Sequence, residues 1–411
     1  MKGLAALAWV LVSHLSFAEA RAPSTFSLDQ ARSAMRDGNL KLRAGKSDDL
    51  AASEAVHAAG RWQNPQVDVD YFNGIHKSSY DKFGAATVGV SQLIETSGAP
   101  TSKREAAKYE EAATRADNRA TAARLALDVE QAYVALAAQA QVIETYTKLA
   151  EALREAERVI MARLAAGTTS PYAAQRITLA RGEALAALAA AETDLVNLRN
   201  ALNRAVGPMS TRLVGTPVYP TESREPLPSL ATLVDRQQRQ RYDLVAARQR
   251  AKESHANVLT VKRSVFRGIA VRVAAGFGQG PGQIDLGVGM SVPLPVVDAG
   301  GPTIRGAEHA AVSASLSADA LAAEAEHDVA AAYLTVIQRR KAADDYAVRT
   351  REPSEKIVHE AEAGFREARL SVLDLVDAYR TAHETVASRI RLSRDAVIAE
   401  IDLRRAVVCG R

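Results

Sequence analysis

Four short stretches of the chain alternate apolar and polar residues with a period of two: residues 66–72, 86–94, 267–278 and 284–294. Such alternation is typical of β-strands with one apolar and one polar face. In the last stretch isoleucine, leucine, valine and methionine face one way, and aspartate, glycine and serine face the other. Each stretch is about as long as a tilted strand that crosses a bilayer, roughly 9–11 residues. Two ordinary hairpins of a soluble sheet would show the same alternation, so both interpretations stay open at this point.

Long helical segments flank each strand pair. Residues 27–62 and 229–262 are predicted to form one helix each ahead of the strands, and residues 102–166 and 304–366 form a much longer helix after them. In the first long segment apolar positions recur at a spacing of three and four, which is the pattern of packed helices. At about 1.5 Å per residue this helix would run roughly 97 Å, too long for a globular domain. Pro353 predicts an interruption of the second long helix.

Each long helix is predicted to turn at a short break and to return as a shorter helix, over residues 170–206 and 371–407. Ser170 and Ser371 stand where an N-cap is needed. Pro171 follows in the first helical position, where its missing N–H costs nothing. These breaks therefore predict two helical hairpins.

The two halves of the chain repeat one another. The segments 88–94 and 128–134 each return, in residue type and spacing, 200 positions further along the chain. So long a period predicts two copies of one large unit rather than a short-repeat solenoid. The units cover residues 21–206 and 229–411, and residues 207–228, rich in Pro, Thr and Gly, form the linker between them.

The first residues have the pattern of a secretory signal, predicted over residues 1–20. Lys2 supplies the positive start, an apolar stretch follows, and cleavage is expected after Ala20. Beyond this segment no run of about 18 apolar residues occurs, so a spanning helix is not expected. Cys409 is the only cysteine, which excludes an internal disulfide. The exported chain, if it spans a membrane, would span it with strands.

Composition narrows the function classes. The net charge is +4 and the pI is about 9.1, but Lys and Arg alternate with Asp and Glu along the chain, so there is no basic patch for nucleic acid. Sequence motifs of serine hydrolases, P-loop NTPases and zinc proteases are absent, so an enzyme is not predicted. His327 with Glu324, and His359 with Glu355 and Glu362, could each offer only partial metal ligation. Solvated charged helix faces are the favoured interpretation, and no metal site or cofactor is predicted.

In order and spacing, these elements resemble the TolC family of outer-membrane efflux channels. Local motifs add to the resemblance: Gly167-x-x-Ser170, the segment 370–380, and residues 241–244, in which tyrosine replaces a proline of the family. The similarity covers nearly all of residues 27–406. It implies a mainly α fold with a small β part: four strands per protomer that form a twelve-stranded barrel in a homotrimer, and a long helical tunnel across the periplasm.

The resemblance also implies partners and cargo. Such a channel sits in the outer membrane, docks on a periplasmic adaptor, and receives substrate from an inner-membrane RND pump. Asn64-Pro65 and the segments 91–98 and 293–295 are similar to the heavy-metal branch, which exports divalent cations such as cobalt, zinc and cadmium. A multidrug or type I secretion duct of the same family is the alternative. From another class, a periplasmic coiled-coil structural or adaptor protein remains possible.

Asp374 and Asp377 match two aspartates that form acidic rings at the periplasmic constriction of family members. At a spacing of three they share a helix face, and in a trimer six carboxylates would gather around the axis and attract cations. The alternative is that both simply complement the positive helix N-terminus. The chain departs from the family where Ala173 replaces an acid and where Phe365 and Leu370 replace gate-locking residues, which leaves the closure of the gate open.

The two turns between the helices are the candidate surfaces for adaptor docking. Ordinary capping of a helix–turn–helix would use the same residue types, and the two roles are compatible. The candidate docking residues are Gly167, Thr168, Thr169, Ser170, Ala368, Arg369, Leu370 and Ser371.

Overall fold

The computed structural model describes residues 25–72, 85–208, 213, 215–219, 226–277, 284–296, 298–367 and 369–410. The predicted signal segment and Ala368 of the second turn lie outside these residues. Within them the helices are α1 Leu28–Gly38, α2 Leu40–Ala59, α3 Ala99–Ala165, α4 Pro171–Val206, α5 Leu230–Gln240, α6 Tyr242–Ser264, α7 Gly301–Arg366 and α8 Val372–Val408. The strands are β1 Thr25–Phe26, β2 Gln66–Phe72, β3 Ala85–Ile94, β4 Thr216–Pro217, β5 Ile269–Phe277 and β6 Ile284–Ser291.

The same sequence of elements occurs twice. In each half two helices lead into a pair of strands, and a long helix and its return helix follow. The predicted architecture, mainly α with a small sheet and built from a duplicated unit, is thereby confirmed.

One long helix, α3, organises the packing. It has 67 residues, which at about 1.5 Å each gives a length near 100 Å. It packs against α2, α4, α6 and α8, while α7 packs against α6 and α8. Many of its buried positions are alanine, which allows the helix axes to approach closely.

No helix in the described part of the chain is long and apolar enough to cross a membrane.

The helices before the strands differ from the prediction. The sequence predicts one helix over 27–62 and one over 229–262, but the structure has two in each place. Asn39 and Arg241 break them, with extended backbone at ψ 116 and ψ 117. The Asn39 Nδ2 donates to the carbonyl oxygens of Ala205 and Val206 at 3.2 and 3.4 Å. Arg241, buried, donates from Nη1 to Ala406 O at 3.2 Å. Each break therefore places one polar side chain on the last turn of the return helix of its own half.

The predicted interruption at Pro353 is wrong, because α7 continues through it from Gly301 to Arg366. A proline inside a helix removes one hydrogen bond and crowds the preceding turn, at a cost of about 3 kcal/mol. Hydrogen bonds between α7 and α8, from Arg340 to Glu400 and from Tyr379 to Glu362, hold the helix on both sides of that position, and tertiary packing commonly overrides local propensity.

The linker contains structure that the sequence did not reveal. Strand β4 pairs in parallel with β1, so that Thr25 lies opposite Thr216 and Phe26 opposite Pro217. The buried Tyr133 of α3 holds this pair: its hydroxyl donates to Val218 O at 2.7 Å, and its ring meets Phe26 edge-on at 5.7 Å. The start of the described chain and the linker are thus fixed to the same point of the long helix.

The four longer strands form one antiparallel sheet in the order β2-β3-β5-β6. The strand register places alternate residues of all four strands on the same face of the sheet. Apart from Gln92, the described residues on that face are apolar, and most of the face is exposed. A contiguous apolar surface of this extent marks a membrane or protein contact. The apolar face consists of Val67, Val69, Tyr71, Ala86, Val88, Val90, Ile94, Ile269, Val271, Val273, Ala275, Phe277, Ile284, Leu286, Val288 and Met290.

Candidate functional site

At the first turn, α3 passes into α4 through a glycine in the left-handed region. Gly167 has φ +67, a conformation that glycine adopts without the steric cost of a Cβ. Its N–H donates to Leu164 O at 3.0 Å, and the Thr168 N–H donates to Arg163 O at 2.9 Å, which closes the end of the helix. Ser170 then caps α4, since its Oγ accepts from the Ala173 N–H at 3.2 Å.

The second turn repeats the hydrogen bond between Thr168 and Arg163 at the equivalent residues, Arg369 and Gly364, and adds another. The N–H groups of Arg369 and Leu370 both donate to Gly364 O, at 2.8 and 3.1 Å. Leu370 folds back so tightly over Gly364 that a Cβ there would lie 2.7 Å from the leucine Cδ1. Ser371 caps α8 at the position that corresponds to Ser170.

Asp374 takes part in this cap. Its carboxylate accepts from the Ser371 N–H at 2.8 Å and from the Ser371 hydroxyl at 2.7 Å, and its own N–H donates to Ser371 Oγ at 3.3 Å. These hydrogen bonds, that of the Ser371 side chain first, lower the pKa of Asp374 below its ordinary value. The side chain is exposed. Asp374 therefore has the capping role that the sequence offered as the alternative. Its carboxylate is ionised and lies at the surface.

Asp377 lies one turn further along α8 on the same exposed face as Asp374. Between and beyond them Leu375, Val376 and Tyr379 point into the core. Among the described residues, none forms a hydrogen bond or ion pair with the Asp377 carboxylate. The structure thus brings the two predicted acids together on a surface that α8 turns away from its own protomer.

A shared apolar core ties the two turns together. It is formed by buried residues of α3, α4, α7 and α8, among them Ile160, Ile177, Phe365 and Leu375. The guanidinium of Arg163 on α3 lies 4.6 Å from the centre of the Phe365 ring on α7, a cation–π contact between the two hairpins. The sequence comparison with the family singles out Phe365, but it gives no indication that Arg163 is its partner.

Two carboxylates flank this core. Glu157 accepts from the Thr178 hydroxyl at 2.6 Å and from Arg181 at 2.7 Å, and these hydrogen bonds lower its pKa. Glu362 accepts from the Tyr379 hydroxyl at 2.8 Å. Burial, and then this hydrogen bond to Glu362, raises the pKa of Tyr379 far above its ordinary value. Each pair links a long helix to its return helix within one hairpin.

The sequence repeat is the one feature of the sequence from which the contact between Arg163 and Phe365 could have been predicted. Because α3 ends at Ala165 and α7 at Arg366, the two residues occupy the last turn of equivalent helices. No group of three His, Cys, Asp or Glu side chains that could hold a metal ion occurs among the described residues.

Comparisons with known proteins agree with this architecture. Residues 31–208, somewhat less than half of the chain, match the sequence profile of the family described as outer membrane efflux protein. No curated protein sequence matches the chain.

Three solved structures illustrate the likeness in fold. A membrane protein from Pseudomonas aeruginosa superposes with a TM-score of 0.79 at 18% identity, covering 93% of this chain and 90% of that one. The outer membrane protein VceC of Vibrio cholerae gives 0.75 at 16% identity, with coverage of 93% and 96%. The open state of the Neisseria gonorrhoeae MtrE outer membrane channel gives 0.73 at 18% identity, with coverage of 93% and 89%.

In each case the likeness covers 93% of this chain. The first half of the chain matches the outer membrane efflux proteins, and the whole chain has the fold of the solved outer-membrane channels.

Proposed function

We propose that this chain is the outer-membrane exit duct of a tripartite efflux system. The observation that carries the proposal is one small sheet with an exposed apolar face, joined directly to helices about 100 Å long. The apolar face suits lipid and the opposite, polar face suits a water-filled passage, which is the division of a transmembrane β-barrel. The helices have the length needed to cross much of a periplasm.

A homotrimer follows from the strand count. Strands β2 and β6 are the edges of the sheet, and unpaired edges in lipid would cost several kcal/mol for each backbone group. Three copies supply twelve strands, so β6 of one protomer pairs with β2 of the next and no edge remains. Localisation in the outer membrane, with a helical tunnel in the periplasm, is part of this proposal.

The turns are proposed as the docking surface for a periplasmic adaptor, which couples the duct to an inner-membrane RND pump. The described residues of both turns form capping hydrogen bonds, so capping and docking would use the same residues. Asp374 and Asp377 are proposed as the acidic constriction, because both carboxylates lie exposed on one face near the turn.

Divalent heavy-metal cations such as cobalt, zinc and cadmium are the proposed cargo. The acidic face of α8 supports this choice, since rings of carboxylates favour cations. A multidrug or type I secretion duct shares the architecture and is the second candidate. A periplasmic coiled-coil structural or adaptor protein is supported less well, because it would have no use for a sheet with an exposed apolar face.

Growth of a deletion strain of the native host tests the cargo. The strain is challenged with zinc, cobalt, cadmium, copper and silver salts, and in parallel with detergents and dyes. Sensitivity to metals alone, rescued by the gene but not by a copy that lacks both turns, supports the proposal. Sensitivity to organic compounds alone overturns the metal assignment and leaves the duct standing.

Fractionation tests the duct itself. The mature protein is expected in the outer-membrane fraction as a trimer that resists heating in detergent. A soluble periplasmic monomer would overturn the proposal, and would favour the coiled-coil alternative.

A further inference from the structure

An arginine in the sheet reaches across one strand to two aspartates on another. Arg272 lies on β5, and Asp68 and Asp70 lie on β2, with β3 between them. The Arg272 Nη2 donates to Asp70 Oδ2 at 2.5 Å, and Nε lies 3.8 Å from Asp68 Oδ2. Two strand spacings are about 9.6 Å, which an extended arginine and a carboxylate can bridge together.

A glycine on the intervening strand makes room for this bridge. Gly89 of β3 lies opposite Asp68 on one side and Ala274 on the other. A Cβ at Gly89 would lie 2.8 Å from the Arg272 Nε, closer than real side chains approach. The arginine therefore crosses β3 at the one place where no side chain stands in its way.

The bridge lies on the polar face of the sheet. Among the described residues of β2, β3, β5 and β6, four are charged: Asp68, Asp70, Arg272 and Asp285. The register puts all four on the face opposite the apolar one. The remainder of that face is mostly glycine, alanine, serine and threonine, which adds no charge.

We infer that Arg272 sets the ion preference of the sheet end of the duct by neutralising part of its carboxylate charge. The inference rests on the proposed function, because it requires the polar face to line the passage. Three carboxylates and one guanidinium give each chain a net charge of −2 on this face, and a trimer would carry −6. Without Arg272 the trimer would carry −9, and Asp68 and Asp70 would face the passage without a cationic partner.

The expected size follows from Coulomb's law. A unit charge about 10 Å from an ion changes the local concentration of that ion by roughly 1.2- to 1.3-fold in 0.1 M salt. Removal of three arginines therefore raises the local cation concentration and lowers the local anion concentration, by about twofold each. The ratio of cation to anion permeability should rise roughly three- to fourfold.

The test is the reversal potential of the reconstituted trimer in planar bilayers under a KCl gradient. All variants are made in an Asp374→Asn/Asp377→Asn background, so that the turns do not dominate the selectivity. Arg272→Gln is expected to shift the reversal potential toward that of potassium. Asp68→Asn/Asp70→Asn is expected to shift it the other way.

Two control variants separate charge from structure. Arg272→Lys keeps the charge and should keep the parental selectivity. Arg272→Gln/Asp68→Asn loses the bridge but restores the net charge of −2, and should return the reversal potential to the parental value.

The inference is overturned if Arg272→Gln conducts normally with an unchanged reversal potential. It is also overturned if the Asp68→Asn/Asp70→Asn variant, which leaves the arginine in place, shows no shift. Absence of any conductance from the unmutated protein would instead contradict the proposed function.

Discussion

The two turns of the molecule share one backbone plan but carry different charges. In the repeat register Ala173 of the first corresponds to Asp374 of the second, and Arg176 corresponds to Asp377. Both helices begin with a serine cap, yet only the second has the reciprocal hydrogen bonds of a capping box. Duplication therefore conserved the geometry of the turn, while acidic chemistry is confined to one copy. In the proposed duct, we therefore expect the second hairpin to line the passage.

The largest expected difference between the hairpins concerns their packing. Phe365→Ala should destabilise the shared core by about 3–5 kcal/mol, because it removes a buried ring and the partner of Arg163. Leu164→Ala, at the equivalent position of α3, should cost about 1–2 kcal/mol, since that side chain is only partly buried. Hydrogen exchange of the last turns of α3 and α7 measures both. Equal losses of stability in the two variants would show that the core stabilises both hairpins to the same extent.

The acidic face gives the next largest effect. Asp374→Asn/Asp377→Asn should lower the ratio of cation to anion permeability about tenfold, because a trimer would lose six negative charges near a constriction. Planar bilayer recording under a KCl gradient measures the ratio. Ala173→Asp/Arg176→Asp, made in the neutralised background, transfers the acids to the first hairpin. Full recovery there would mean that the two hairpins line the passage equally.

The serine caps of the two return helices give a smaller expected difference in stability. Ser371→Ala should cost about 1–2 kcal/mol, since it removes the hydrogen bond from the serine hydroxyl to the Asp374 carboxylate in addition to the cap. Ser170→Ala removes a single cap and should cost about 0.5–1 kcal/mol. Protection of the first-turn amides of α8 and α4 reports each cost. A greater loss of amide protection in α4 than in α8 would contradict the extra stability expected from the capping box.

The smallest effect is one of pH. The pKa of Asp374 is lowered in the folded protein from an ordinary value of 3.8. Its ionised carboxylate therefore contributes to the stability of the folded state above pH 3.8, and this contribution is lost as the pH falls through the lower folded pKa. Amides at the start of α8 should lose protection in that acidic range, whereas those of α4, with no acid in the first turn, should not. Asp374→Asn should abolish the difference between the two helices.

The sequence was informative wherever a local pattern determines structure. Alternation predicted all four strands of the sheet, and the two serines predicted both caps. Contacts between distant segments were not visible in this way. The breaks at Asn39 and Arg241 depend on the ends of α4 and α8, more than 160 residues away. The β1–β4 pair likewise depends on Tyr133, and the path of Arg272 depends on an absent side chain at Gly89.

The pair of side chains at Asn39 and Arg241 has a mechanical consequence. Each fixes the last turn of a return helix, at the end opposite the turn. Helix α4, with 36 residues, extends about 54 Å from that fixed point. A tilt of about 5° about Asn39 would displace the far end by roughly 5 Å. In the proposed duct, a small rotation at this end of α4 would therefore move the turn at its other end.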